Sequence, residues 1–520
     1  MFSSQTLSAV TKYLTLRGWL IRRENNQQVT SCEWMITDLG GTDQVYPRVT
    51  FSALPDDVLL EIFTFYLNFG FYRFKTFAEL EDAWHTLVHV CKRWRSIVFA
   101  SPHRLQLQLV CTNKRPVQNM LDIWPELPIV IITRRGMSQS QDANNIIAAL
   151  KQHNRVAKIE IEEIPNSFLT RMGAMEMRDP FSALTSLRLH SSLDAQALPD
   201  SFLGRSAPRL QTLTLFGIPF PALPNLLLST HDLVSLDLWK IPLSGYISPD
   251  AMVTCLSALT RLEKLVLHFR FPRSRADREN RLVPRLTRIV LPALTKLSFK
   301  GNSEYLEDIV AQIDTPLLNE FNITFFNQLI FDAPSLRDFI SRTETFKAPH
   351  QARVAFFPNE VEVGLYPRIG DVFHKILSLA ISCSPSDWQL SSLAQICDSA
   401  LSPFPTLERL KIFNIQSWED DVENAQWLEL LHPFTSIKDL LLDGRSIPHG
   451  ALEQLARERV TEAVPALQNL FSEGSQLSKP VKNAIGKFVA ARQLSGRPVA
   501  VHRRDRPDQE WRQMHWEVGD

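Results

Sequence analysis

The sequence predicts an α/β chain in two parts: a small all-helical domain, then an irregular solenoid with parallel strands on its concave face and helices on its convex face. Three observations carry this prediction. A Leu-x-x-Leu-x-Leu pattern recurs from Leu184 onward, the stretches between copies have helical apolar spacing, and the run from Leu54 has helix-start signals. At 520 residues the chain also exceeds what one compact core usually holds.

Residues 1–50 show no sustained period and are expected to form a poorly ordered extension, with a short helix over 5–22. The first acid is Glu24, and the preceding basic, Ser- and Thr-containing stretch is loosely transit-peptide-like but is read as a leader. A helical domain follows over 51–101. Pro55 suits the first position of a helix, where its missing N–H costs nothing. Asp56, Asp57 and Glu61 place negative charge near the positive end of the helix dipole. Around that helix, Val58, Leu59, Leu60, Ile62, Phe63, Phe65, Tyr66 and Leu67 span an apolar arc of about 220°, against the ~100° stripe of an ordinary surface helix. A domain of about sixty residues cannot bury such an arc on all sides, so part of it is expected to face a partner. A second helical run, Ala78 to Phe99, carries Trp84, Leu87, Val88, Cys91, Trp94 and Ile97 at spacings of three and four. Cys91 reads as a small buried hydrophobe.

Residues 102–150 are expected to connect the two parts, with strands in "RLQLQLVCT" (104–112) and "LPIVIITRR" (127–135) around a short helix in "VQNMLDIW". The solenoid is placed at 151–474. Its clear repeats begin at Leu184, Leu210, Leu233 and Leu262; looser ones begin at Leu294, Leu318, Leu407 and Ile437, with a weak early copy at Val156 and a fading one at Leu467. Such spacing marks a leucine-rich-repeat solenoid. The fourth and sixth positions share one face of a short strand and enter a core that closes only when repeats stack. "SPDAMVTCLSAL" (248–259) and "DWQLSSLAQICDSAL" (387–401) are expected as convex helices. The repeats are irregular: the Asn or Cys of a regular repeat is replaced by Ser192, Ile218, Ile241 and Arg270 in four copies and kept as Asn302 in one. Between 340 and 400, "ARVAFF", "NEVEVGLY" and "ILSLAIS" are strand-like without the full motif. A C-terminal cap is placed at 475–502, with a helix over 479–494, and a tail at 503–520.

"LPDDVLLEIF" followed by "LVHVCKRWRSIVFASPHRL" resembles the F-box, the adaptor-binding module of SCF-type ubiquitin ligases, through Leu54-Pro55, the Val58/Leu59/Ile62/Phe63 face and Val90-Cys91-x-x-Trp94. With the downstream repeats, "WPELPIVI" and "FVAARQL", the chain over roughly 51 to 501 resembles the basidiomycete F-box proteins with degenerate leucine-rich repeats. One departure is the aromatic insertion over 68–84. The resemblance implies adaptor contacts at Leu54, Pro55, Val58, Leu59, Ile62 and Phe63, with Trp94 completing the module. It implies a substrate-receptor subunit joined through the adaptor to a cullin, with no catalysis of its own. The alternative is a leucine-rich-repeat interaction scaffold outside any ubiquitin ligase, in which these helices only cap the solenoid.

In the solenoid reading, the third, fifth and seventh motif positions face the concave surface. Arg188, Phe216, Asp237, Trp239, Lys264 and Lys411 are the expected contacts for an unknown protein substrate, Phe216 and Trp239 being large aromatics on neighbouring strands. No Gly-rich phosphate loop or Gly-x-Ser-x-Gly elbow occurs. His85 and His89 sit one helical turn apart but lack the Glu that metalloprotease chemistry needs, and are read as core-side histidines. No cofactor or metal is expected. The basic run 270–285 is read as a solvated loop, since acids and prolines interrupt it. Lys+Arg and Asp+Glu are equal at 56 each, which argues against a global nucleic-acid or membrane-surface field. Six scattered cysteines and the lack of any run of about 20 apolar residues suggest a cytoplasmic or nuclear protein with reduced thiols.

Overall fold

The computed structural model describes residues 19–22, 35–38, 54–73, 84–113, 117–133 except 125, 140–272 except 176, 178 and 192–194, 288–357 except 329–330, 359–367, 375–382, 389–414 except 402–403, 426–443, 464–473 and 479–504. The expected tail beyond 504, most of the basic run and residues 74–83 of the aromatic insertion lie outside the described residues. The chain divides into two compact units, Met1–Ile161 and Glu162–Asp520. The boundary expected from the repeats, at 150/151, falls one strand earlier.

In the first unit, β1 (Trp19–Arg22) pairs antiparallel with β2 (Met35–Asp38), so the end of the segment expected as a helix over 5–22 is a strand. Helix α1 (Asp56–Arg73) follows Pro55 as expected, with Asp56 and Asp57 in its first turn. The single helical run expected over 78–99 is instead broken: a helix over 84–88 ends in a turn, and α2 (Lys92–Ala100) starts afresh. Cys91 causes the restart. It is exposed rather than buried, and its Sγ caps α2 by accepting the N–H of Trp94 at 3.5 Å. After α2 come β3 (Leu109–Cys111), α3 (Val117–Ile123), β4 (Ile129–Thr133), α4 (Ser140–Leu150) and β5 (Val156–Ile161), with β3–β4 and β4–β5 parallel. The strand expected from 104 begins only at Leu109. Leu105, Gln106 and Leu107 instead donate back to Ser101, His103 and Pro102, and Gln106 has φ 50°, so this stretch is a compact turn.

The second unit contains α5 (Asn166–Ala174), β6 (Ser186–His190), β7 (Thr212–Phe216), α6 (Leu223–Leu228), β8 (Ser235–Ile241), α7 (Pro249–Ser257), β9 (Lys264–Phe269), β10 (Ile289–Val290), β11 (Lys296–Gly301), α8 (Ser303–Val310), β12 (Ile313–Asp314) and β13 (Glu320–Phe326). The strands β6, β7, β8, β9, β11 and β13 pair in sequence, all parallel. The register lines up Leu187, Leu213, Leu236, Leu265, Leu297 and Phe321 in one buried row, and Leu189, Leu215, Leu238, Leu267, Phe299 and Ile323 in the next. These are the fourth and sixth motif positions. The first motif position is equally buried: Leu184, Leu210, Leu233, Leu262, Leu294 and Leu318 are all 0% exposed. Backbone bonds join each turn to the one before: Gln211 donates to Thr185, Val234 to Gln211, Glu263 to Val234 and Thr295 to Glu263. At the other end of the strands, Ile164 donates to His190, Ser191 to Phe216 and Gly217 to Trp239, so main-chain bonds join the turns where a regular repeat would use Asn.

The order then changes. After α9 (Pro334–Arg342), β14 (Gln351–Phe357) and β15 (Glu360–Tyr366) form an antiparallel hairpin, and β15 also pairs antiparallel with β16 (Leu377–Ser382). The spatial order is β13-β16-β15-β14-β17, with β16 parallel to β13 and β14 parallel to β17 (Arg409–Asn414). The three strand-like stretches between 340 and 400 are therefore strands, but β15 runs against the parallel direction expected throughout. Helix α10 (Gln389–Ala400) leads from β16 to β17. Parallel pairing then resumes through β18 (Asp439–Asp443), β19 (Asn469–Glu473) and β20 (Ala500–Arg504), with α11 (Gln426–Leu431) and α12 (Lys479–Leu494) between them. Helix α12 matches the expected span, but a further strand follows it and runs past the expected cap boundary at 502.

Candidate binding face

On α1, the residues implied as adaptor contacts fall into two groups. Leu59, Ile62 and Phe63 are at most 1% exposed, Leu60 and Tyr66 are also buried, and Trp94 is buried against the Phe63 ring at 4.6 Å. Pro55 is exposed, Leu54 is half-buried and Val58 is 37% exposed. The broad free apolar arc expected for this helix is thus mostly interior. The compact unit runs on to Ile161, so α1 is not confined to a sixty-residue helical domain and has more interior to enter. Arg93 fixes the start of α1: its guanidinium donates to Asp56 Oδ1 at 2.6 Å and to the Leu54 carbonyl. His85 stacks on Trp124 at 4.8 Å, and His89 lies 6.1 Å from the same ring. No group of three or more His, Cys, Asp or Glu side chains among the described residues is placed to hold a metal ion.

In the second unit, strand alternation puts Arg188, Phe216, Asp237, Trp239 and Lys264 on one face, opposite the buried leucine rows. Phe216 and Trp239 are register partners, as are Thr214 and Asp237. Asp237 is 8% exposed, and its Oδ2 accepts from Lys264 Nζ at 3.0 Å. Four rings follow one another across the strands. His190 lies 4.3 Å from Phe216, and Trp239 lies 4.3 Å from His268. His190 and His268 occupy the seventh positions of the repeats that begin at Leu184 and Leu262, but sequence alone does not show that they extend the aromatic pair into a row. His268 Nε2 bonds Ser298 Oγ at 2.8 Å. Burial, helped by the Lys300 charge, holds its pKa down to about 4. Lys411, the sixth expected contact, is separated from this group by the hairpin. It is 4% exposed and pairs in register with Arg353.

The hairpin brings a second polar group to the same face. Glu362, Lys375 and Ser378 contact one another, and the Arg353 guanidinium lies 4.4 Å over the Tyr366 ring. Burial works to lower the pKa of Lys375, but the Glu362 carboxylate outweighs it and leaves the ammonium above its ordinary value. Burial, with the Glu362 charge, raises the carboxyl of Glu360. Sequence pattern could not assemble this group, because Glu362 reaches Lys375 only through the reversed strand.

Tandem parallel strands with three buried apolar positions per turn and helices between them define a leucine-rich-repeat-like α/β solenoid. No family model matches the chain, and no curated protein is similar to it. Among solved structures, the chain is similar to the leucine-rich repeat-containing protein LegL7 from Legionella pneumophila, at 14% identity over 74% of this chain and 97% of that one, with a TM-score of 0.25. It is also similar to the TLR13–ssRNA13 complex at 13% identity, over 76% of this chain and 49% of that chain, about half its length, with a TM-score of 0.27. No helix among the described residues is long and apolar enough to cross a membrane.

Proposed function

We propose that this chain is a non-catalytic protein-binding subunit: the concave face of the solenoid holds a protein partner, and the N-terminal helices attach it to the adaptor of an SCF-type ubiquitin ligase. The observation that carries the first part is the row His190–Phe216–Trp239–His268, half-buried aromatic rings beside charged side chains, which is the composition of interface hot spots. The adaptor part rests on the F-box resemblance together with the exposure of Pro55 and Val58 at the start of α1. A second reading, an interaction scaffold outside any ligase, is favoured by the burial of Leu59, Ile62 and Phe63.

A pull-down of the full chain with the SCF adaptor separates the two. The ligase reading expects capture by the wild type and loss with Val58→Asp, which changes an exposed residue. Leu59→Asp is no test of a surface, because it puts a charge into a fully buried site at a cost of several kcal/mol and unfolds the unit. No capture by the wild type leaves the scaffold reading; capture unchanged in Val58→Asp removes the start of α1 as the adaptor contact.

A further inference from the structure

We infer that the ring row on β6–β9 is a docking groove for an acidic, extended segment of the partner that carries an aromatic or aliphatic anchor. This rests on the reading of the concave face as protein-binding and specifies what it binds. The charged concave side chains of β6–β9 are Arg188, Asp237, Lys240 and Lys264. Lys264 neutralises the one carboxylate. Arg188 and Lys240 are both exposed, and neither has an ion-pair partner among the described residues. The rings therefore lie under surplus positive charge, which complements an acidic segment. Glu162 and Glu163 act on His190 together with Arg188 and Lys240, and Lys300 acts on His268 at the other end of the row, so the three cations outnumber the two carboxylates.

The backbone adds an independent observation. The β8–β9 register shifts between Leu238 and Ile241, and inside that irregularity Lys240 has φ 50°. A non-glycine residue in the left-handed region is strained, and bulges are where strands re-aim side chains. Here the result is that Lys240 Nζ lies 4.8 Å over the Phe216 ring, beside the groove instead of in line with its strand. Two large apolar side chains are exposed just beyond the same strand ends. Leu243 is 61% exposed and Phe271 is 50% exposed, each two residues beyond the register pair Ile241 and Phe269. An extended segment crossing the strands would set its anchor on Phe216 and Trp239 and its acids near Lys240 and Arg188.

The test pans a phage-displayed library of random dodecapeptides against the full chain, then measures the best synthetic peptide by fluorescence anisotropy. Enriched sequences are expected to place Asp or Glu beside Phe, Trp or Leu. Affinity is expected to fall about tenfold or more in Trp239→Ala and in Lys240→Glu, and to weaken with added salt. Lys240 is exposed, so its variant keeps the test decisive if Trp239→Ala folds poorly. No enrichment, enrichment of basic peptides, indifference to Lys240→Glu, or displacement of the peptide by oligo-dT overturns the proposal. Peptides that survive both variants but are lost in Arg409→Glu place binding elsewhere on the face; they overturn this groove and leave the protein-binding reading standing. Failure of any cellular protein to co-purify overturns that reading itself.

Discussion

At the residue scale, the concave face uses histidine as a neutral ring. His268 is enclosed by Trp239 and bonded to Ser298, and its pKa is held at about 4 by burial and by Lys300. An unfolded histidine titrates at 6.5, so below that pH the unfolded chain takes up a proton that the folded chain refuses. Stability conferred by this site is therefore full above pH 6.5 and lost as pH falls toward 4, by about 3 kcal/mol at most at 1.36 kcal/mol per pH unit. We expect the His268 ring to show no inflection between pH 5 and 8 by NMR, and the acid limb of the stability curve to flatten in His268→Gln. An inflection near 6.5 would show instead that the ring is solvated. The same scale explains what was legible in α1. Val58 and Leu59 are adjacent apolar letters in sequence, yet one is 37% exposed and the other 0%. A wheel gives the width of an apolar arc but not how much interior the rest of the unit supplies.

At the element scale, a strand of this solenoid is fixed by its leucines and ended by its turn. Gly217 follows β7 with φ 67°, and its N–H donates to the Trp239 carbonyl at 2.8 Å. A Cβ added there would meet the Ser191 carbonyl oxygen at 2.6 Å. Gly217→Ala therefore combines an unfavourable φ with a backbone clash, and is expected to cost about 2 kcal/mol or more in chemical denaturation. It should also weaken any ligand of the ring row, because the distorted turn carries Phe216 and is bonded to Trp239; an unchanged denaturation midpoint would show that the turn relaxes freely. The repeats up to β13 were legible because Leu-x-x-Leu-x-Leu states both the strand face and the turn leucine. The hairpin was not. "ARVAFF" and "NEVEVGLY" have the alternation of any strand, and alternation is the same for parallel and antiparallel neighbours. The direction of β15 is set by the short connection from Phe357 to Glu360, which leaves no room for a crossover helix. Likewise "RLQLQL" alternates but folds as a turn, since Leu105 and Leu107 reach the interior by local backbone bonds.

At the scale of the whole molecule, a solenoid must end its core as well as extend it. In the second unit the last parallel strands are β18, β19 and β20, and α12 lies in the sequence between the final two. Val481, Ala484, Ile485 and Phe488 are buried, and Arg492, 0% exposed, donates to the Leu467 carbonyl at 3.0 Å. That carbonyl belongs to the last repeat turn, so α12 is fastened to the repeat it covers by both apolar contact and a charged donor. A chain ending at Glu473 would lose this helix together with β20, leaving the β19 backbone edge unpaired and Leu467 and Leu470 uncovered. Exposed edges with apolar neighbours recruit other chains. We expect that truncation to lower the thermal midpoint, increase binding of a hydrophobic dye and move the protein to higher-order species in size-exclusion chromatography. Arg492→Leu, which keeps the helix and its apolar contacts but removes the donor to Leu467, should produce a smaller loss of stability without association. A truncated chain that stays monomeric with an unchanged midpoint would mean that the repeats close their own core and that α12 and β20 have a different task.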